Sequence, residues 1–269
     1  MILLNFTAQL FYYPIKSTNQ NVIPVQVASS VLFKTDNDYF LVTAKHVFSD
    51  VKLSDIIILL NDGNAVQLYG EIGFFIVNKP HDNLDIAILK LDMEIVKQLE
   101  HQYSFLHYKN IDFSHDYNET NNYMLLGFIN KQTELKGKTF QSTPFGFLTQ
   151  LKRMNKLSDL RLNDIENIAL RYNRRKQTFL FNDVKQLGPQ DLTGLSGGGI
   201  WFVRQYACKP HLQYCSLVGI MIEQLRGTNR GIVVGTKIYL AFEILEKHFG
   251  VALTNQGISV IGDGRRFKH

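Results

Sequence analysis

Between Gln9 and Asp92 the apolar residues gather in six short runs: Gln9–Ile15, Val25–Thr35, Asp38–Phe48, Asp55–Asn61, Ala65–Asn78 and Asp85–Asp92. Each is rich in Val, Ile, Phe or Tyr and bounded by turn-forming residues, which reads as β-strand. A polar bridge, Lys109–Asn122, separates them from a second series: Tyr123–Asn130, Thr139–Gln150, Ile168–Asn173, Gly198–Ala207, Ser216–Glu223 and Gly231–Leu240. Strands at short intervals, without regular alternation with helices, predict an all-β chain of antiparallel sandwich or barrel type. Two successive sets of six predict two six-stranded antiparallel barrels, one over residues 1–115 and one over 116–269.

Helical periodicity is confined to two places. In Met154–Tyr172, Leu157, Leu160, Ile165 and Ile168 fall on one face, which predicts a helical insertion within 151–187. Leu240–Gly250 reads as a C-terminal helix over about 240–249, with Gly250 at the place of a C-cap. No internal repeat and no low-complexity segment interrupts this order.

At 269 residues the chain is long enough to bury a substantial core without covalent staples. A hydrophobic share of 45% and a charged share of 20% are those of an ordinary globular protein, and no apolar run reaches the length needed to span a bilayer. The opening residues, MILLNFTAQLFYYPIK, lack a basic start, an unbroken apolar run and a small-residue cleavage site, so a cytoplasmic location is expected. The two cysteines, Cys208 and Cys215, flank His211. Together they supply at most three metal ligands, and reduced structural thiols are the expectation, with a local disulfide or a metal as the alternatives. The net charge of +5 is concentrated in Leu151–Lys156 and Leu170–Lys176, and no nucleic-acid-binding motif accompanies it.

The chemistry gathers around one serine. In Leu192–Trp201, LTGLSGGGIW, four glycines surround Ser196 and the chain's single tryptophan follows. Glycine serves where the backbone must take positive φ or be approached closely, so this stretch reads as a tight turn with exposed amides. The N–H groups of Gly194 and Ser196 are candidates for an oxyanion hole, the donor pair that stabilises charge developing on an attacked carbonyl oxygen. A serine nucleophile needs a histidine base and a carboxylate that orients it. His46 ends the run from Tyr39, and Asp85 opens an apolar run, so the chain order is His, Asp, Ser. Asp82 lies close to Asp85, but only Asp85 directly precedes the apolar residues. Trp201 either anchors the glycine turn by burying its ring or contacts substrate.

VTAKHVF, DIAILKL, GLSGGGIW and LVGIMIE, in this order, resemble the four landmark segments of trypsin-like serine peptidases of the chymotrypsin fold. The resemblance spans most of Val25–Ile238. It implies a double β-barrel with Ser196 as nucleophile, His46 as general base and then acid, Asp85 as its orienting carboxylate, and the amides of Gly194 and Ser196 as the oxyanion hole. It implies hydrolysis of peptide bonds through an acyl-enzyme, with neither metal nor organic cofactor, and a protein or peptide as substrate. The alternative is a catalytically idle relative that binds peptide in the same cleft.

Three departures from the secreted pattern are informative. Leu195 stands where members activated by zymogen cleavage carry an aspartate, so activation by a new N-terminus is excluded on charge grounds. Val47 follows the histidine where those relatives have a cysteine, and the cysteine close before the serine is missing as well. These features resemble an intracellular prokaryotic branch of the family. The same resemblance places Gln190 and Asp191 on one wall of the substrate pocket and Ile222, Glu223 and Gln224 on the other, where an acid would select basic side chains. The basic residues Arg171, Arg174, Arg175 and Lys176 present either a solvated face or a docking element for a regulatory partner.

Overall fold

The computed structural model describes residues 2–14, 23–75, 84–136, 139–152, 162, 164–175, 178–180, 188–204, 214–227 and 231–253. The first half forms β1 (Thr7–Tyr12), β2 (Val25–Lys34), β3 (Tyr39–Thr43), β4 (Ile56–Leu59), β5 (Ala65–Gln67), β6 (Ile72–Phe74), β7 (Ala87–Lys90) and β8 (Leu106–His107). The second half forms β9 (Asn122–Lys136), β10 (Thr139–Thr149), β11 (Asn167–Arg171), β12 (Thr178–Phe179), β13 (Gly199–Val203), β14 (Cys215–Gln224) and β15 (Ile232–Lys237). Three helices accompany them among the described residues: α1 (His46–Asp50), α2 (Met93–Leu99) and α3 (Tyr239–Lys247).

The strands make two sheets, ordered β5-β4-β1-β2-β3-β7-β6 with β8 beside β2, and β11-β15-β14-β13-β9-β10-β12. Every pairing is antiparallel except β2 with β8. The two-sheet, mostly antiparallel architecture agrees with the expected pair of barrels, although eight and seven strands replace six and six. One reason is local. The run Ala65–Asn78 is broken at Gly70, whose φ of +136° favours glycine, and a Cβ there would stand 2.2 Å from the carbonyl oxygen of Lys90.

The helical expectation splits. α3 forms where it was expected, its apolar face buried through Leu240, Ala241, Ile244 and Leu245, and Gly250 follows it with φ +64°. The helix expected over Met154–Tyr172 does not continue into its described part. Ile165 sits in a turn and is 70% exposed, while Ile168 is buried in β11, opposite Gly235 of β15. Leu157 and Leu160 lie outside the described residues. Pairing with β15 overrides a helical period there, because the ladder buries Ile168 and Leu170 in the core of the second sheet.

One apolar cluster joins the halves. It takes Phe33 and Phe40 from the first sheet, Met124, Trp201 and Leu217 from the second, and Ile244 from α3. Phe249 packs at a tilt against Phe40 at 5.5 Å between ring centroids, and Phe242 of α3 does so against Phe113 at 5.4 Å. With a shared core behind them, the two sheets meet along the line where β2 and β9 touch.

Candidate active site

His46 is the first residue of α1, three residues beyond the end of β3. An opening helical turn has amides without intrahelical partners. The amide of His46 donates to Asp85 Oδ1 at 2.8 Å, and its ring Nδ1 lies 2.6 Å from Asp85 Oδ2. One carboxylate therefore grips both backbone and ring, which fixes the imidazole plane and leaves Nε2 without a partner among the described residues. Asp85 is held in turn by the start of β7, where Ile86 is fully buried, and its carbonyl accepts from Thr236 Oγ1 of β15 at 3.4 Å. The hydrogen bond to Asp85 pushes the imidazole above its ordinary value of 6.5. Partial burial opposes this, and the charges of Asp85, Asp50 and Glu223 add to it.

Ser196 sits in the turn that leads into β13. The turn is closed by Leu195 N–H donating to Leu192 O at 3.0 Å and Gly198 N–H donating to Leu195 O at 2.8 Å. Leu195 is fully buried in the apolar cluster of the second sheet, so an apolar anchor occupies the position next to the serine. Gly194 and Gly197 have φ of +96° and +85°. A Cβ on Gly197 would lie 1.9 Å from Ser29 O and 2.2 Å from Thr43 Oγ1, so this glycine is what lets the turn touch the first sheet. There Ser29 N–H donates to Ser196 O at 2.7 Å. The amides of Gly194 and Ser196 have no acceptor among the described residues, and both residues face a cleft.

The cleft, about 940 Å³, is lined by His46, Asp85, Gly194 and Ser196 together. Ser196 Oγ donates to the carbonyl of Ile222 at 2.8 Å, and no hydrogen bond joins it to His46. The residues expected on the pocket walls line the same cleft: Gln190 and Asp191 on one side, Ile222, Glu223 and Gln224 on the other. Gln224 ties the walls to each other. Its Oε1 accepts from Leu192 N–H at 3.2 Å and its Nε2 donates to Gln190 O at 3.4 Å. β14 runs past its last pairing with β13, Gly199↔Ile220, so residues 222–224 border the cleft with β15 as their strand neighbour. Glu223 is exposed at the rim. Partial desolvation and the Asp85 charge raise its carboxyl above the ordinary value, while His46 and Arg226 pull the other way.

Trp201 is fully buried and does not border the cleft, so the substrate-contact alternative is set aside. Its Nε1 edge fills the space beside Gly199, where a Cβ would come within 2.6 Å of it, and the indole anchors the turn from below. Of the basic segment, Arg171 donates through Nε to Leu151 O at 3.1 Å and Arg174 to Gly188 O at 2.7 Å. These two and Arg175 do not border the cleft, and Lys176 lies outside the described residues. Cys215 is a buried free thiol pushed up to about 11 by desolvation, while Cys208, His211 and Asp82 lie outside the described residues.

Sequence reasoning missed Ser29 and Gln26 on β2, which reach the serine turn across the sheets. The available signal was a glutamine and two serines, all buried, in the otherwise apolar strand VQVASSVLFK. Asp50 and Arg226, which also line the cleft, carried no signal.

No protein-family model matches the sequence, and comparison with curated proteins gives no match. Solved structures do match. The scabies mite inactivated protease paralogue S-I1 is 12% identical with a TM-score of 0.54, covering 93% of this chain and 96% of its own. The thermostable serine protease AL20 from an extremophilic microorganism is 12% identical with a TM-score of 0.53, covering 92% of this chain and 98% of its own. A third, the protein designated GrC, is 11% identical with a TM-score of 0.51, covering 92% and 95%. At this identity the likeness establishes the fold, which is the two-sheet chymotrypsin fold of trypsin-like serine proteases.

Proposed function

We propose that the chain is a serine endopeptidase in which Ser196, His46 and Asp85 form the catalytic triad. The single observation that carries this reading is the double grip of Asp85 on His46 within the cleft that also holds Ser196 and two unpaired amides. In the reaction Ser196 Oγ attacks the scissile carbonyl carbon and its proton passes to His46 Nε2. The resulting oxyanion takes the N–H groups of Gly194 and Ser196. His46 then gives the proton to the leaving amine, the C–N bond breaks, and water hydrolyses the acyl ester with the same residues in reversed roles.

Ser196 must first leave the Ile222 carbonyl. A rotation about its Cα–Cβ bond does this, and catalytic hydrogen bonds commonly tighten only when substrate is bound. An extended peptide laid along residues 222–224, where β14 no longer pairs with β13, supplies the occasion, in the manner of β-strand addition. Buried Leu195 has no charge to receive a newly cut N-terminus, which supports competence without zymogen cleavage. The free Cys215 and Val47 beside the histidine suit a reducing, cytoplasmic setting.

The cleft also supports a preference in substrate. The chain carries +5, yet the cleft presents Asp50, Asp85, Asp191 and Glu223 against Arg226. Such a reversal of sign concentrates cationic segments at the site. The test is incubation with a defined peptide library beside Ser196→Ala, with products read by mass spectrometry. Cleavage by the native chain alone, enriched next to Arg or Lys, is expected. Absence of any Ser196-dependent cleavage overturns the reading. The second reading, an idle peptide-binding relative, draws on the bond of Ser196 to Ile222 rather than to His46, and it predicts peptide binding without cleavage.

A further inference from the structure

We propose that Ser29 and Gln26 are positioning residues of the reaction, holding the Gly194–Leu195 peptide plane so that Gly194 cannot turn over and the amide in its preceding plane stays directed into the cleft. The inference rests on the hydrolase reading above and concerns how the oxyanion site keeps its shape in a turn made largely of glycine.

Two peptide planes meet at Gly194, and each is fixed by its carbonyl. The carbonyl of Thr193 accepts from the amide of Asn130 in β9 at 2.9 Å. In a planar trans peptide the N–H points opposite to the C=O, so this bond directs the Gly194 amide away from β9. The carbonyl of Gly194 accepts from Ser29 Oγ at 2.9 Å and from Gln26 Nε2 at 3.3 Å. With both planes held, neither φ nor ψ of Gly194 is free to turn over. Without them a glycine at φ +96° has no side chain to oppose rotation, and only the bond of Leu195 N–H to Leu192 O at 3.0 Å holds the second plane.

The holding groups are themselves fixed. Ser29 Oγ accepts from Phe128 N–H at 2.9 Å, which leaves its own proton for an acceptor, and Gly194 O is nearer than Phe128 O at 3.3 Å. Gln26 accepts from Gln9 Nε2 at 3.1 Å through Oε1, shares its amide with Phe128 O at 3.1 Å, and receives Asn130 Nδ2 on its backbone carbonyl at 3.1 Å. The two residues stand three apart in β2, a spacing that puts side chains on opposite faces of a regular strand. The register shift against β1, where Leu10 pairs with Ala28 and Phe11 with Gln26, inserts Val27 as a bulge and turns Gln26 to the side of Ser29.

Both side chains are almost wholly buried, Ser29 at 0% and Gln26 at 5% exposure, so the strand carries a cost in buried polarity that these hydrogen bonds offset. Asn130 Oδ1, buried and without a partner among the described residues, stands 2.0 Å from where a Cβ on Gly194 would be, and with the φ of +96° this makes glycine the fitting residue. The latch is built from neutral hydrogen bonds across the sheets, and it needs no charge beside the serine.

The test compares Ser29→Ala and Gln26→Met with Ser30→Ala, whose hydroxyl is equally buried in β2 but donates to Ala8 O at 3.2 Å, away from the turn. Turnover of a peptide ester and inhibition by a tripeptide arginine aldehyde, whose hemiacetal oxygen needs the same amides, are measured for each. Losing a direct oxyanion donor costs about 10²–10³ in kcat, and we expect roughly a tenth of that range from Ser29→Ala acting at one remove. KM should be unchanged, aldehyde affinity should fall in parallel, Gln26→Met should lose less, and Ser30→Ala should keep the native kcat. Unchanged kcat and aldehyde affinity in Ser29→Ala, or an equal loss in Ser30→Ala, overturns the proposal. If Ser29→Ala does not fold, the volume-conserving Gln26→Met carries the comparison. A native chain that turns over no substrate would sink the hydrolase reading alone. Crystal structures of native and Ser29→Ala chains then decide the latch, because a Gly194–Leu195 peptide that keeps its orientation without the Ser29 hydroxyl contradicts it and one that rotates supports it.

Discussion

Two of the His–Asp pairs among the described residues, His46–Asp85 and His115–Asp112, differ in the access and enclosure that matter for chemistry. His46 meets Asp85 at 2.6 Å with 41% of its side chain exposed, and its second nitrogen is open toward the cleft that holds Ser196. His115 meets Asp112 at 3.3 Å with its side chain 4% exposed. Its second nitrogen is taken by Tyr123 Oη at 3.0 Å, and the rings of Tyr117 and Phe202 enclose it at 4.7 and 4.6 Å. The electrostatics act in the same sense at both pairs, each favouring a charged partner. At the first pair Asp85 raises the histidine, and at the second the His115 hydrogen bond holds the Asp112 carboxyl below its ordinary range. A histidine beside an aspartate is thus no sign of a base in itself. The pair becomes one when the far nitrogen has access to a nucleophile and to solvent.

The contrast breaks most sharply under substitution of the residues that only one pair possesses. Ser196→Ala or His46→Ala is expected to lower kcat by about 10⁶-fold, since removing either member of such a unit removes its joint action. Asp85→Asn should cost about 10⁴-fold by favouring the wrong imidazole tautomer, whereas Asp112→Asn should leave kcat within about twofold, both by steady-state assay. His115→Ala removes the nearer partner of Tyr123 Oη and a partner of Asp112 and empties a buried ring site, and it should cost about 1–3 kcal/mol of stability by denaturant titration with catalysis intact.

The smallest effect concerns pH. His46 must be neutral to accept the serine proton, so kcat/KM should fall as pH drops through a midpoint above 6.5. The interaction of the protonated ring with Asp85 acts on stability in the opposite sense. It is fully present below 6.5 and is lost as pH rises through the raised value. Glu223→Gln should move the activity midpoint down, because it removes one of the charges that raise His46.

Much of the fold was legible because antiparallel strands leave short apolar runs, and α3 because nine residues, Tyr239–Lys247, suffice to display one buried face. α1 and α2, of five and seven residues, were not, since too few turns exist to distinguish a helical period. The break at Gly70 was invisible for another reason. Its cause is the backbone of Lys90, which is remote in sequence. The triad candidates could be read because each lies in a short motif beside a strand. Ser29 and Gln26 could not, because their meaning arises only where β2 meets the serine turn, and the strand bulge that aligns them leaves no mark on the apolar pattern. The resting bond of Ser196 to Ile222 belongs to the same class, a choice of rotamer made by three-dimensional neighbours.

The most direct measurement is treatment of the native chain with a fluorophosphonate probe, read by intact and peptide mass beside the Ser196→Ala and His46→Ala variants. The reagent reacts only where nucleophile, base and oxyanion donors work together. The account predicts one adduct, on Ser196, in the native chain and none in either variant. A native chain that stays unmodified, or labels equally in His46→Ala, contradicts it.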